Sequence, residues 1–163
     1  RLFHKSEKLF KKYLAQGVTA VDIGCGMGYF SIGMAEIVGA AGHVISVDIQ
    51  QQLLDVVFRR ASKAGVAERI QLHKCQDDTI GLSAQTDFVL TFWMVHEVHD
   101  IRELVDHIRA LLKPNGKYLL TEPYIHVGAS RFKEICDLVL QAGFHVIDKP
   151  AIAMSRACVF EKD

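Results

Sequence analysis

A chain of 163 residues is long enough to bury about two-thirds of its unfolded surface, so one domain spanning residues 1–163 is expected. Half of the residues are hydrophobic and the formal net charge is zero, which excludes a disordered chain and gives no basic footprint of the kind nucleic acids require. Cys25, Cys75, Cys136 and Cys158 are scattered without a Cys-x-x-Cys pair, which argues against a zinc ribbon or a disulfide scaffold and for reduced thiols in the cytoplasm.

Arg1 to Gln16 is charged and amphipathic, unlike a signal peptide, and Leu9 to Leu14 reads as the end of a short helix stopped by Gly17. The chain begins at Arg1 rather than Met, which leaves room for preceding residues, a substrate-covering element among them. No apolar run approaches the roughly 20 residues that span a bilayer, so no membrane insertion is expected. Val18 to Ile23 is a strand. It runs into Gly24-Cys25-Gly26-Met27-Gly28 and then a helix with Phe30, Met34, Ile37 and Val38 at helical spacing. Val44 to Val47 is a second strand ending in Asp48-Ile49, and Leu54, Val57, Phe58 and Ala61 mark the helix after it. Ile70 to Lys74 and Asp87 to Phe92 are strands three and four. Ile101, Leu104, Val105, Ile108, Leu111 and Leu112 draw one apolar helix face, capped by Asp100 with Glu103. Lys117 to Thr121 is strand five, Ser130 to Ala142 a helix closed by Gly143, and Phe144 to Lys149 and Ser155 to Phe160 are the last two strands.

Strands taking turns with helices imply an α/β, Rossmann-like doubly wound sheet, mostly parallel and covered on both faces. The Pro150-containing link leaves no room for a helix, so the last strand runs antiparallel to its neighbour. Ligands of such sheets lie beyond the carboxyl ends of the strands, where the strand order reverses. Glycines at 24, 26 and 28 let the backbone turn sharply and approach a ligand closely. The dinucleotide fingerprint needs its third glycine where Tyr29 stands, which disfavours a nicotinamide site, and the absence of Gly-Lys-Ser/Thr excludes a P-loop.

Asp22-Ile23-Gly24-Cys25-Gly26-Met27-Gly28 resembles the first motif of class I S-adenosylmethionine-dependent methyltransferases, and the order of later segments agrees. Asp48-Ile49, twenty residues after Gly28, stands where that family keeps a ribose-binding acid and an apolar neighbour of adenine. Asp87-Phe88-Val89-Leu90-Thr91-Phe92 resembles its fourth motif, and Leu111-Leu112-Lys113-Pro114-Asn115-Gly116 the segment before its fifth strand. The resemblance, nearest to the ubiquinone/menaquinone-biosynthesis type, implies a seven-stranded sheet, S-adenosylmethionine as cofactor and S-adenosylhomocysteine as product. It also implies cofactor contacts from Asp22, Gly24, Cys25, Gly26, Gly28, Asp48 and Ile49, from Asp78 or Asp77 toward the adenine amine, and from Phe92 as a wall. Plainer roles compete: Asp22 as a loop cap, Ile49 and Phe92 as core, Asp77 and Asp78 as solvated loop acids.

On the acceptor side, Phe92 to His99 lacks the Asn/Asp-Pro-Pro-Tyr/Phe motif of base amino methylation. His96, His99, Glu122 and His126 are the candidate catalytic groups, since neutral imidazole is a suitable base for a hydroxyl or thiol. His96-Glu97-x-His99 is one residue short of a zincin helix, so no metal is expected. The expected reaction is direct in-line methyl transfer to a small-molecule acceptor, without nucleic acid. A module that binds the cofactor without turnover is the alternative, and a homodimer or a partner subunit is compatible with either.

Overall fold

The computed structural model describes residues 9–76 and 79–163. The order is β1 (Thr19–Ile23), α1 (Tyr29–Val38), β2 (His43–Asp48), α2 (Gln51–Ala64), β3 (Ile70–Lys74), β4 (Thr86–Phe92), α3 (Ile101–Leu111), β5 (Leu112–Pro123), α4 (Ala129–Gln141), β6 (Phe144–Asp148) and β7 (Ser155–Lys162). The strands form one seven-stranded sheet in the order β3-β2-β1-β4-β5-β7-β6. The first five pair in parallel, and β7 lies antiparallel between β5 and β6, as the short link after β6 requires. This is the Rossmann-like class expected from the alternation of elements.

Period-two alternation along the strands sorts the core into two layers. Val21 and Ile23 of β1, Ile45 and Val47 of β2, Val89 of β4, and Tyr118 and Leu120 of β5 face α3 and α4, where Leu104, Ile108, Ile135 and Val139 complete the packing. Their neighbours Ala20, Val44, Phe88, Leu90 and Leu119 point the other way, onto Met34, Ala35 and Val38 of α1 and Ala61 of α2. Phe10, in the last helical turn before β1, closes that second layer with no exposed surface, edge-on to Phe30 and Phe88. The Glu103 amide donates to Asp100 Oδ1 at 3.0 Å, so α3 starts with the expected cap.

Two features differ from the sequence reading. The crossing from β3 to β4 carries no helix among the described residues, only a bridge between Gln76 and Thr79, so alternation fails there. Strand β5 begins at Leu112, five residues earlier than expected. The Lys113 to Gly116 stretch sits where the β4–β5 register shifts, with Asn115 at φ 62° taking up the irregularity. Lys113 Nζ then reaches Asp87 Oδ1 at 2.8 Å, while Asp87 Oδ2 accepts the Thr19 amide at 2.9 Å, locking the amino ends of β1, β4 and β5 together.

The junction of β1 and α1 holds a buried acid. Asp22 is 2% exposed and accepts the Ser31 hydroxyl at 2.5 Å. Burial pushes its carboxyl up from the ordinary 3.8 to about 6, the Ser31 hydrogen bond offsetting only part of this and the Asp48 charge adding to it. A folded-state pKa above the unfolded one means the native protein holds the extra proton between those values, so stability falls as pH rises through them.

Two stability measurements follow from this packing. Phe10→Ala is expected to lose about 3–5 kcal/mol in urea unfolding, the usual cost of emptying a fully buried phenylalanine site; a loss below about 1 kcal/mol would show that the N-terminal turn does not close the core. Between pH 4 and pH 7 the wild type is expected to lose about 3 kcal/mol more stability than Asp22→Asn, and parallel pH curves for the two proteins would contradict the buried-acid reading.

Candidate active site

The loop after β1 is fastened to the end of β2. The Gly24 and Cys25 amides both donate to the Val47 carbonyl, at 2.9 and 3.0 Å, and the Gly26 amide donates to Asp48 Oδ2 at 3.0 Å. Asp48 Oδ1 accepts the Gln50 amide at 2.9 Å. Gly24, Gly26 and Gly28 all take positive φ, at 70°, 52° and 72°. A Cβ at Gly24 would stand 2.9 Å from Met94 Cγ, and one at Gly28 2.9 Å from a Val57 methyl, whereas nothing lies within 4 Å of a Cβ built at Gly26. The first and last glycines are therefore required by packing, and the middle one presents bare backbone to open space.

That space is a cavity of about 640 Å³ at the carboxyl ends of β1, β2 and β4. Of the residues singled out as cofactor contacts, Gly24, Gly26, Asp48, Ile49 and Phe92 line it. Ile49 is 47% exposed at the lip, an apolar face with no core to cover it. Asp22, Cys25 and Gly28 do not line the cavity. Asp22 is engaged with Ser31, and Cys25 is buried with Leu54 and Val57, where burial pushes its thiol well above the ordinary thiol range. Asp77 and Asp78 lie outside the described residues; their neighbours Gln76 and Thr79 line the cavity.

The candidate catalytic groups divide. His99 lines the cavity beside Glu97. His96, Glu122 and His126 gather next to that wall. Glu122, with no exposed surface, accepts the Val95 amide on Oε1 at 2.9 Å, and its Oε2 lies 2.5 Å from His96 Nδ1. The His126 ring stands 5.3 Å from the His96 ring, centroid to centroid, at 60°. Among the described residues no three His, Cys, Asp or Glu side chains are arranged to hold a metal ion.

Sequence reasoning passed over several lining residues. Trp93, directly after β4, has φ 61°, a conformation a bulky residue adopts only when held in place. Its amide donates to the Thr121 carbonyl at 2.8 Å and its indole Nε1–H to Ser155 Oγ at 2.9 Å. Asp100, the cap of α3, and Glu103, Leu104 and His107 within it also line the cavity, beside Thr79 and Ile80 of the β3–β4 crossing. The spacing of His107 four residues after Glu103 was readable, but not that this side of α3 borders a cavity. Every Asp or Glu on the lining, namely Asp48, Glu97, Asp100 and Glu103, meets no Lys or Arg on it among the described residues.

The cradle fits the cofactor of the family it resembles. An ionised carboxylate has about four acceptor sites, and Asp48 has committed two of them to backbone amides, which leaves capacity for two vicinal hydroxyls.

The family described as a methyltransferase domain matches residues 20–116, more than half of the chain. A demethylmenaquinone methyltransferase of Lactobacillus johnsonii is 30% identical over 151 residues, covering 87% of this chain and 62% of the relative. A ribosomal protein L11 methyltransferase of Aliivibrio fischeri is 34% identical over 106 residues, covering 65% of this chain and 34% of the relative. The chain thus spans less than two-thirds of the length of these curated relatives. Among solved structures, a SAM dependent methyltransferase from Aquifex aeolicus superposes with a TM-score of 0.85 at 21% identity, covering 98% of this chain and 89% of that one, which shows the shared fold. The chain belongs to the methyltransferase domain family, and it is similar in sequence to a demethylmenaquinone methyltransferase and in fold to a SAM dependent methyltransferase.

Proposed function

We propose that the chain, acting as one domain of residues 1–163 in the cytoplasm, transfers a methyl group to a small-molecule acceptor bound beside the cavity. The observation that carries this reading is the charge of the cavity. Its acids, Asp48, Glu97, Asp100 and Glu103, face no Lys or Arg on the lining among the described residues. Such a surface favours a cation and repels a diphosphate or a nucleic-acid backbone. S-adenosylmethionine supplies a methyl group already activated on a cationic sulfur, and the product leaves as a neutral thioether.

In this reading Asp48 accepts from the ribose hydroxyls, Ile49 lies against the adenine, Gly24 and Gly26 let the backbone approach, and Phe92 walls the site. Asp78 or Asp77 reaches the adenine amine. Asp22, Cys25 and Gly28 act one layer further back: Asp22 through Ser31, Cys25 and Gly28 through Val57, holding the loop in shape. Holding the acceptor in line with the methyl group provides most of the rate, because proximity replaces a bimolecular encounter. A cavity of about 640 Å³ is within the range of small-ligand sites, and the acids around it supply no cationic surface for a nucleic-acid acceptor. The relatives act, by name, on demethylmenaquinone and on ribosomal protein L11, so the acceptor is read from this site and not from them. Among the described residues no helix is long and apolar enough to cross a membrane.

Calorimetric titration tests the reading. S-adenosylmethionine and S-adenosylhomocysteine are expected to bind and NAD is not. Asp48→Ala, checked for folding by circular dichroism, should weaken both sulfur nucleotides by about 1.5–3 kcal/mol for each hydrogen bond lost to the carboxylate. Unchanged affinity in that variant removes the ribose assignment; binding of NAD alone overturns the cofactor.

A further inference from the structure

Glu122 is a carboxylate with no exposed surface, and its ionic partner among the described residues is an imidazole. The sheet puts it there. Phe92 of β4 pairs with Thr121 of β5, and the chain leaving β4 turns back over β5 through the short helical turn Val95–Glu97. The Val95 amide opens that turn and has no acceptor within it, so Glu122 Oε1 takes its proton at 2.9 Å. Capping needs only that one oxygen. The second, Oε2, sits 2.5 Å from His96 Nδ1. An ionised carboxylate only accepts, so the proton in this contact belongs to Nδ1, and in the neutral ring Nε2 is left with a bare lone pair.

The Nε2 edge is not sealed. The His96 side chain keeps 19% of its surface exposed, and Nε2 lies 4.0 Å from Glu97 Oε1, whose side chain is 75% exposed. Glu97 belongs to the cavity wall, and the His126 ring flanks His96 on the β5 side. His99 also lines the cavity, but among the described residues no hydrogen bond orients its ring. Only one of the candidate imidazoles is thus held with a defined tautomer.

Resting on the methyltransferase reading above, we infer that Glu122 is a positioning residue that fixes His96 as its Nδ1–H tautomer, and that Nε2 receives the proton of a protic acceptor. The acceptor is then an O–H, N–H or S–H nucleophile. The electron pair of its attacking atom forms the new bond to the methyl carbon, the bond from that carbon to the sulfonium sulfur breaks with its pair left on the neutral thioether, and the acceptor's bond to hydrogen breaks as the proton passes to Nε2. The resulting imidazolium is balanced by the Glu122 carboxylate, and the proton leaves to solvent past the exposed Glu97. A nucleophile without a transferable proton has no use for this arrangement.

The test reads the tautomer directly. Long-range proton–nitrogen NMR of the 15N-labelled protein saturated with S-adenosylhomocysteine is expected to show His96 protonated at Nδ1 and bare at Nε2. Glu122→Gln offers one oxygen to two donors, so the preference should weaken while affinity for S-adenosylhomocysteine stays within about threefold. A wild-type His96 protonated at Nε2 alone, or an Nδ1–H ring that persists unchanged in a folded Glu122→Gln, overturns the proposal. With labelled S-adenosylmethionine and two probes, 4-methylphenol and pyridine, label should pass to the phenol. His96→Ala should lower that kcat on the order of 100-fold or more, and Glu122→Gln should lower kcat by a smaller factor with the cofactor KM unchanged. Methylation of pyridine, or phenol methylation undiminished by His96→Ala, overturns the assignment, and the tautomer decides it where neither probe is methylated. Loss of S-adenosylhomocysteine binding by the wild type would instead sink the cofactor reading.

Discussion

Three consecutive backbone amides, those of Gly24, Cys25 and Gly26, are tied to the last two residues of β2. Everything at the carboxyl edge of the sheet depends on this fastening. It makes one rigid piece of the two loops that the proposed nucleoside would touch at once, and it lets Asp48 serve both as a brace and as a cavity wall. The backbone conformations involved are open to glycine and strained for other residues, and Met94 and Val57 fill the space that side chains at Gly24 and Gly28 would occupy. The loop cannot relax into a wider turn without giving up these contacts.

The sheet beneath holds these edges in register. Alternate residues of β1, β2, β4 and β5 feed two separate layers, so each strand is clamped from both faces and its end is a fixed point. Against that regular scaffold the irregular parts lie together on the carboxyl side. The β3–β4 crossing lacks a helix among the described residues, Trp93 is held at positive φ, and Met154, whose carbonyl accepts the Tyr124 amide at 3.0 Å, takes φ 57°. Strain in bulky residues persists only where surrounding contacts over-determine it. Here the contacts come from β5 and β7, the strands that also carry Glu122 and Ser155. In the proposed reading the cofactor rests mainly on the ends of β1 and β2, with Phe92 of β4 as a wall, and the acceptor lies toward β5 and β7.

Much of this was legible in the sequence because it is local. Strand β3 falls at Ile70–Lys74 as its alternation indicates, the Asp100 cap is where the spacing puts it, and the glycine loop and Asp48 announce themselves by residue type. The family resemblance rested on the same local signals, and the match over residues 20–116 agrees with it. What the sequence could not display is pairing over distance. His96 and Glu122 are 26 residues apart, and nothing in either segment says that one carboxylate will both cap a turn and orient an imidazole. A partial signal existed. Glu122 shares strand parity with Tyr118 and Leu120, which face the α3–α4 layer, and an acid at such a position must find partners. The part of α3 that borders the cavity was hidden for the opposite reason. The sequence shows only its apolar face and cap, and its other residues border the cavity beside a crossing that carries no helix among the described residues.

The central claim is that the carboxyl ends of β1 and β2 hold the nucleoside of S-adenosylmethionine. A crystal structure of the complex with S-adenosylhomocysteine tests it most directly. The account predicts both ribose hydroxyls within hydrogen-bonding distance of the Asp48 carboxylate and the adenine against Ile49, with the loop at Gly24 and Gly26 unmoved. A nucleoside bound elsewhere, or one whose ribose leaves Asp48 to its backbone amides alone, contradicts it.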